Sequence, residues 1–106
     1  MSESRAHRRA KYVSAGPGGY VEVPLGDGRR LDALSRDGVW ATEVERSGDF
    51  GGLWRAVMRL VASGAPQKVL KVPQQDMNFA AVVLRKAGVS AWVRNMDGSD
   101  EFFVQV

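Results

Sequence analysis

Arg30-Leu31-Asp32-Ala33-Leu34 and, beyond Asp37-Gly38, Val39-Trp40-Ala41-Thr42-Glu43-Val44-Glu45 decide how this sequence is read. The second segment is rich in β-branched and aromatic residues, as strands are. Asp-Gly is favoured in tight turns between antiparallel strands, so the two segments form a hairpin. Side chains alternate across a strand, which puts Glu43 and Glu45 on one face and Trp40, Thr42 and Val44 on the other. A two-residue loop at Asp37-Gly38 places Asp32 opposite Glu43 and Arg30 opposite Glu45. A four-residue loop would pair Asp32 with Ala41. Both registers leave Asp32 on the face of Glu43 and Glu45, because a slip of two residues preserves parity.

Outward from the hairpin, Tyr20-Val21-Glu22-Val23-Pro24-Leu25 alternates like a half-buried strand, and Gly26-Asp27-Gly28 turns the chain into a second strand, Arg29 to Ser35. Upstream, Ser2 can cap a helix from about Glu3 to Val13, stopped at Ala15-Gly16-Pro17-Gly18-Gly19. Downstream, Ser47-Gly48-Asp49 offers a cap. Phe50, Leu53, Trp54, Val57, Leu60 and Val61 then form an apolar helical stripe, closed by Gly64 and Pro66. Lys68 to Val72 is a short strand. Asp76 can cap a helix whose Phe79, Val82, Val83 and Leu84 face the core, with Gly88 at its end. Val89 to Arg94 and Phe102 to Val106 are two final strands around an Asn95–Asp100 turn. The order is α-β-β-β-α-β-α-β-β, an α/β domain with a mixed sheet flanked by helices.

The 106 residues form one domain, 44% hydrophobic and 25% charged, ordinary for a globular protein. The absence of cysteine excludes a disulfide framework, a thiol nucleophile and a Cys-rich zinc site. The polar, basic start lacks an apolar signal core, and no apolar run approaches membrane length, so no membrane association and a cytoplasmic location are expected. The net charge of +3 is concentrated in residues 1–11, where Arg5, Arg8, Arg9 and Lys11 face only Glu3. This basic arm on a neutral body is a phosphate-contacting device or a solubilising tail. His7 is expected on its exposed surface, and Trp40, Trp54 and Trp92 in the core or an interface.

Three carboxylates on one sheet face repel one another and call for a cation. Arg30 could supply it within a structural charge ladder, and so could a divalent metal. Oxygen-only ligands suit Mg²⁺ or Mn²⁺.

An Asp on one strand, a hairpin turn, an acidic-x-acidic pair on the next strand, then a helix and a strand, resembles the core of the PD-(D/E)XK (restriction-endonuclease-like) nucleases over about residues 2–73. The resemblance implies Asp32 and Glu43 as metal-binding acids, with Glu3 of the first helix beside them and Glu45 at the position usually held by lysine. It implies Mg²⁺-dependent hydrolysis of DNA phosphodiesters by a small endonuclease, with Asp32, Glu43 and Glu45 catalytic. Arg5, Arg8, Arg9, Lys11 and Arg30 would grip nucleic acid. A body this small exposes little surface to a duplex, so a homodimer is expected. Two departures stand out: Glu45 is not lysine, and Leu31 rather than proline precedes Asp32. They leave open an inactive nuclease-like module that binds nucleic acid or a protein partner.

Overall fold

The computed structural model describes residues 3–106. Three helices and six strands appear in the order α1 (Arg5–Ala15), β1 (Tyr20–Pro24), β2 (Arg30–Leu34), β3 (Trp40–Val44), α2 (Phe50–Ala62), β4 (Gln67–Lys71), α3 (Met77–Ala87), β5 (Ala91–Arg94) and β6 (Glu101–Val104), with a 3₁₀ turn at Gln74–Asp76 before α3. The strands form one mixed sheet in sequence order: β1, β2 and β3 run as an antiparallel meander, β4 and β5 are parallel to β3, and β6 turns back on β5. A mixed α/β fold is thus what the hydrophobic patterning implied. No helix among the described residues is long and apolar enough to cross a membrane.

The parallel steps β3-α2-β4 and β4-α3-β5 require crossovers, and their shared right-handed sense puts both helices on the same face. There Ala41, Leu70 and Val93 pack in one core with Leu53, Val57 and Leu60 of α2 and Ala80, Val83 and Leu84 of α3. On the other face α1 makes its main contacts with β1, β2 and β3. That face therefore has its helix mainly over the first half of the sheet, with Trp92 and Phe103 of β5 and β6 farther out.

Several expectations are corrected in detail. Helix α1 is capped by Ser4, whose hydroxyl accepts from the His7 N–H, and the expected cap Ser2 lies outside the described residues. Asp76 precedes α3 but makes no side-chain cap bond, because the 3₁₀ turn already occupies it. Phe79 and Val82 are exposed, and α3 buries small Ala80 and Ala81 beside Met77, Val83 and Leu84. Trp40 is also exposed, while Trp54 and Trp92 are half-buried.

The α1–β1 connection is sterically closed. A Cβ on Gly19 would overlap the Ala15 carbonyl oxygen, which is backbone and cannot swing aside. Gly19→Ala should therefore lower stability by about 1–3 kcal/mol, the usual cost of overpacking, as measured by urea unfolding against wild type.

Candidate functional site: an acidic centre filled by lysine

Asp32 sits where the sheet's main-chain bonding lapses. The β1–β2 ladder pairs Val21 with Ala33 and Val23 with Leu31, passing over Glu22 and Asp32. The β2–β3 ladder pairs Leu34 with Ala41 and Ala33 with Thr42 and stops there. Its register is the one that brings Asp32 opposite Glu43, although the loop is longer than two residues, closed by the Ser35 N–H on the Trp40 carbonyl at 2.9 Å.

Side chains replace the missing rungs. The Asp32 N–H donates to Glu43 Oε2 at 2.7 Å, and the Val44 N–H donates to Asp32 Oδ2 at 2.8 Å. Each acid thus holds the partner strand's backbone, and buried N–H groups are satisfied as they must be. Glu22 departs from sheet geometry at the same level: it is the one described non-glycine residue with positive φ, 52°. Such a conformation costs about 1–3 kcal/mol and needs compensation from its surroundings.

The compensation comes from α1. Lys11 is 4% exposed, and its ammonium binds Glu22 and Glu3 and lies 3.9 Å from Asp32 Oδ1. One turn earlier on the same helix face, His7 Nε2 is 3.6 Å from Asp32 Oδ2 and 3.9 Å from Glu3. Burial opposes the charge on Lys11, but Glu22, Glu3 and Asp32 outweigh it and its pKa rises above the usual 10.5. Hydrogen bonding to Asp32 likewise outweighs burial at His7 and raises its pKa. Lys11 in turn lowers that of Glu3.

Glu43 is the most deeply placed acid, 1% exposed. Its Oε1 accepts from Arg59 Nη1 of α2 at 3.3 Å. Burial, then the neighbouring Asp32 charge, push its pKa from 4.5 up to about 8. Glu45 does not join the group. Its Oε1 lies 3.4 Å from the Ser47 N–H, at the start of α2, where a carboxylate also meets the positive end of the helix dipole. A Cβ on Gly52 would come within 2.9 Å of that oxygen and 2.5 Å of Ser47 Oγ, so the glycine makes room for this cluster.

The expected trio is therefore divided. Asp32 turns to α1, Glu43 to α2 and Glu45 to the helix start. Main-chain parity failed as a guide because it presumes an unbroken ladder, and β2 is interrupted at Asp32 on both sides. Among the described residues no three Asp, Glu or His side chains are grouped so as to hold a metal ion. Asp32 and Glu43 are close, but their oxygens already serve two backbone N–H groups, Arg59, His7 and Lys11. This donor set does not fit Mg²⁺ or Mn²⁺ as it stands.

Of the expected nucleic-acid contacts, Arg5, Arg8, Arg9 and Arg30 are exposed, whereas Lys11 is buried among carboxylates and His7 is half-buried. Sequence reasoning missed the inward roles of His7, Lys11, Glu22 and Arg59. The signal for the first two was their spacing: Glu3, His7 and Lys11 recur every four residues, which puts them on one helix face. No family model, curated protein or solved structure matches the chain.

The raised pKa of Glu43 has a definite sign. The folded state holds the proton more tightly than the unfolded chain, so stability falls as pH rises from 4.5 toward 8 and is level above. His7, also raised, acts in the same direction as pH passes its unfolded value of 6.5. Glu43→Gln keeps an acceptor for the Asp32 N–H and removes the ionisation. It should flatten this decline and stabilise the protein at pH 8 relative to pH 5 by about 1 kcal/mol or more, one pKa unit being worth about 1.4 kcal/mol. Calorimetric melting across that pH range measures it.

Proposed function

We propose that this chain is a restriction-endonuclease-like module that binds nucleic acid, DNA foremost, through α1 and does not hydrolyse it. One observation carries the reading: the same helix turns one cation inward, Lys11, onto Glu3 and Asp32, two of the three acids that the nuclease resemblance assigns to metal, and leaves Arg5, Arg8 and Arg9 exposed. The inward charge does the electrostatic work a divalent ion would do, holding Glu3, Glu22 and Asp32 together. The outward charges have no such duty beyond the 3.6 Å approach of Arg8 to Glu3, and guanidinium groups bind phosphate oxygens in a matching geometry. Arg30, exposed at the start of β2, adds to them. The meander with an acid on β2 and another on β3, followed by helix α2 and parallel strand β4, supports the restriction-endonuclease-like part of the reading.

Calorimetry with Mn²⁺ and plasmid incubation test the inactive centre. Wild type should bind no Mn²⁺ at millimolar concentration and leave supercoiled plasmid intact. Nicking that is lost in Asp32→Ala would overturn the reading in favour of Mg²⁺-dependent hydrolysis. Lys11→Met leaves carboxylates without their cation and should cost about 3–5 kcal/mol, as for other broken buried ion pairs. Its melting temperature, unlike that of wild type, should then rise with added Mn²⁺, because the ion binds the folded state alone.

Nucleic-acid binding is tested separately. Arg8→Gln with Arg9→Gln should weaken binding to unrelated DNA sequences equally and reduce the slope of log K against log salt by about two if both side chains touch duplex phosphates. Fluorescence anisotropy at several salt concentrations gives both quantities, and an unchanged slope would remove α1 from the interface.

A further inference from the structure

A cleft of about 770 Å³ opens where the C-terminal end of α1 meets β3, β4 and β5. This is the size range of small-molecule sites. None of its lining residues belongs to the acidic centre: Ser14 and Pro17 form one wall, Arg36 and Trp40 another, and Val69 and Arg94 belong to the adjoining strands. The cleft combines three features.

It contains an unsatisfied polar group. Ser14 Oγ is buried and has no hydrogen-bond partner, although buried hydroxyls are nearly always paired. Its strand side is cationic: Arg94 lines it, and Lys71 lies next to Arg94 in the sheet beneath the lining. Lys71 follows Val69 on the same strand face, is 3% exposed, and pairs in register with Arg94 of β5. Among the described residues the Lys71 ammonium has no carboxylate partner. Its nearest charged influence is Arg94, which, like burial, works against its protonation. Two adjacent cations, one of them desolvated, are costly unless an anion joins them. Arg94 donates through Nε to Glu101 at 2.8 Å, which leaves its terminal nitrogens free for such an anion.

The third feature is one aromatic side chain on the lining, Trp40, with Trp92 farther along the same sheet face. Trp40 is 37% exposed at the cleft. Trp92, paired in register with Val69, lies on the same sheet face and packs against Phe103 with ring centroids 5.2 Å apart. The only carboxylate lining the cleft, Asp37, already accepts from Ser35 Oγ and the Val39 N–H.

We propose that this cleft binds a nucleoside phosphate, its phosphate on Arg94 and Ser14 with Lys71 behind them and its base against Trp40. The ligand is either a free nucleotide or an unpaired nucleotide of a strand, and aromatic stacking suits any base. The proposal is independent of the reading of α1 above, since it shares no residue with it.

Tryptophan fluorescence titration with adenosine 5′-monophosphate, adenosine, inorganic phosphate and a single-stranded adenine tetranucleotide tests it. The monophosphate should quench with a Kd below 1 mM, on the order of the affinity small ligands reach in such sites, and adenosine and phosphate should each bind at least about tenfold more weakly, a 1.4 kcal/mol difference. Arg94→Gln and Lys71→Met should each weaken monophosphate binding by a comparable factor and leave adenosine unaffected. Trp40→Leu should remove most of the quenching. Lys71→Met exchanges an unpaired buried charge for an apolar chain of similar length, so it remains folded. Tetranucleotide binding tighter than the monophosphate identifies a strand as the source, and equal or weaker binding identifies a free nucleotide. No binding of either, or binding indifferent to Lys71→Met and Arg94→Gln, overturns the proposal. Duplex affinity measured on the same variants separates the two readings. If it survives while nucleotide binding is absent, only the cleft assignment falls; if nucleotide binding stands alone, only the α1 reading falls.

Discussion

The charge of Lys11 organises one half of this molecule. Removed from water, an ammonium is tolerated only where anions surround it, and here Glu3, Glu22 and Asp32 come from a helix cap region, β1 and β2 respectively. The contact docks α1 on the sheet, offsets the left-handed backbone at Glu22 and fixes the level at which β2 parts from its neighbours. The apolar side of α1 is slight: Ala10 and Ala15 are its buried hydrophobic residues. Burial of two methyl groups contributes little, so the polar cluster sets where the helix lies. The opposite face works the other way. Its large core of leucine, valine and alanine binds α2 and α3 to the sheet without ionic help beyond Arg59 and Glu43.

That asymmetry explains the sparsely covered half of the sheet. A single short helix on one face cannot span six strands, and β5 and β6 present half-buried Trp92 and Arg94 and exposed Phe103 on that face, beside buried Val69. Their mixture of aromatic, apolar and cationic side chains differs from an ordinary solvated sheet face, which would alternate toward short polar residues.

The sheet and its helices were legible in the sequence because their signals are local. Alternation in Tyr20–Pro24, the β-branched and aromatic run at Trp40–Val44 and the stripe in α2 each need only a few neighbours to be interpreted. The facing of Asp32 and Glu43 was one of two registers open to the sequence, and the structure reaches it with a longer loop, Arg36 to Val39, than the two residues that reading assumed. The direction of each carboxylate was not legible, because it depends on where the ladder fails, and Glu22 and Asp32 carry no local mark of that failure. Lys11 was obscured by counting charge along the chain, which sums Arg8, Arg9 and Lys11 as one arm although a helix points them to different sides. In α3, large Phe79 and Val82 outweighed small Ala80 and Ala81 in the pattern, yet close helix–sheet packing selects the small residues for the inner face.

The reciprocal bonds between Asp32, Glu43 and each other's strands bear on how this protein can drift in evolution. Replacing either acid by a residue without a side-chain acceptor strands a backbone N–H, of Val44 in one case and of Asp32 in the other. Folding itself therefore constrains both positions, whatever the module does. A lineage that never cut a phosphodiester would still need a side-chain acceptor at each, and loss of one would not be repaired by change of the other. Invariance of this pair across descendants would record the repair of a broken ladder and could not, taken alone, be counted as a trace of catalysis.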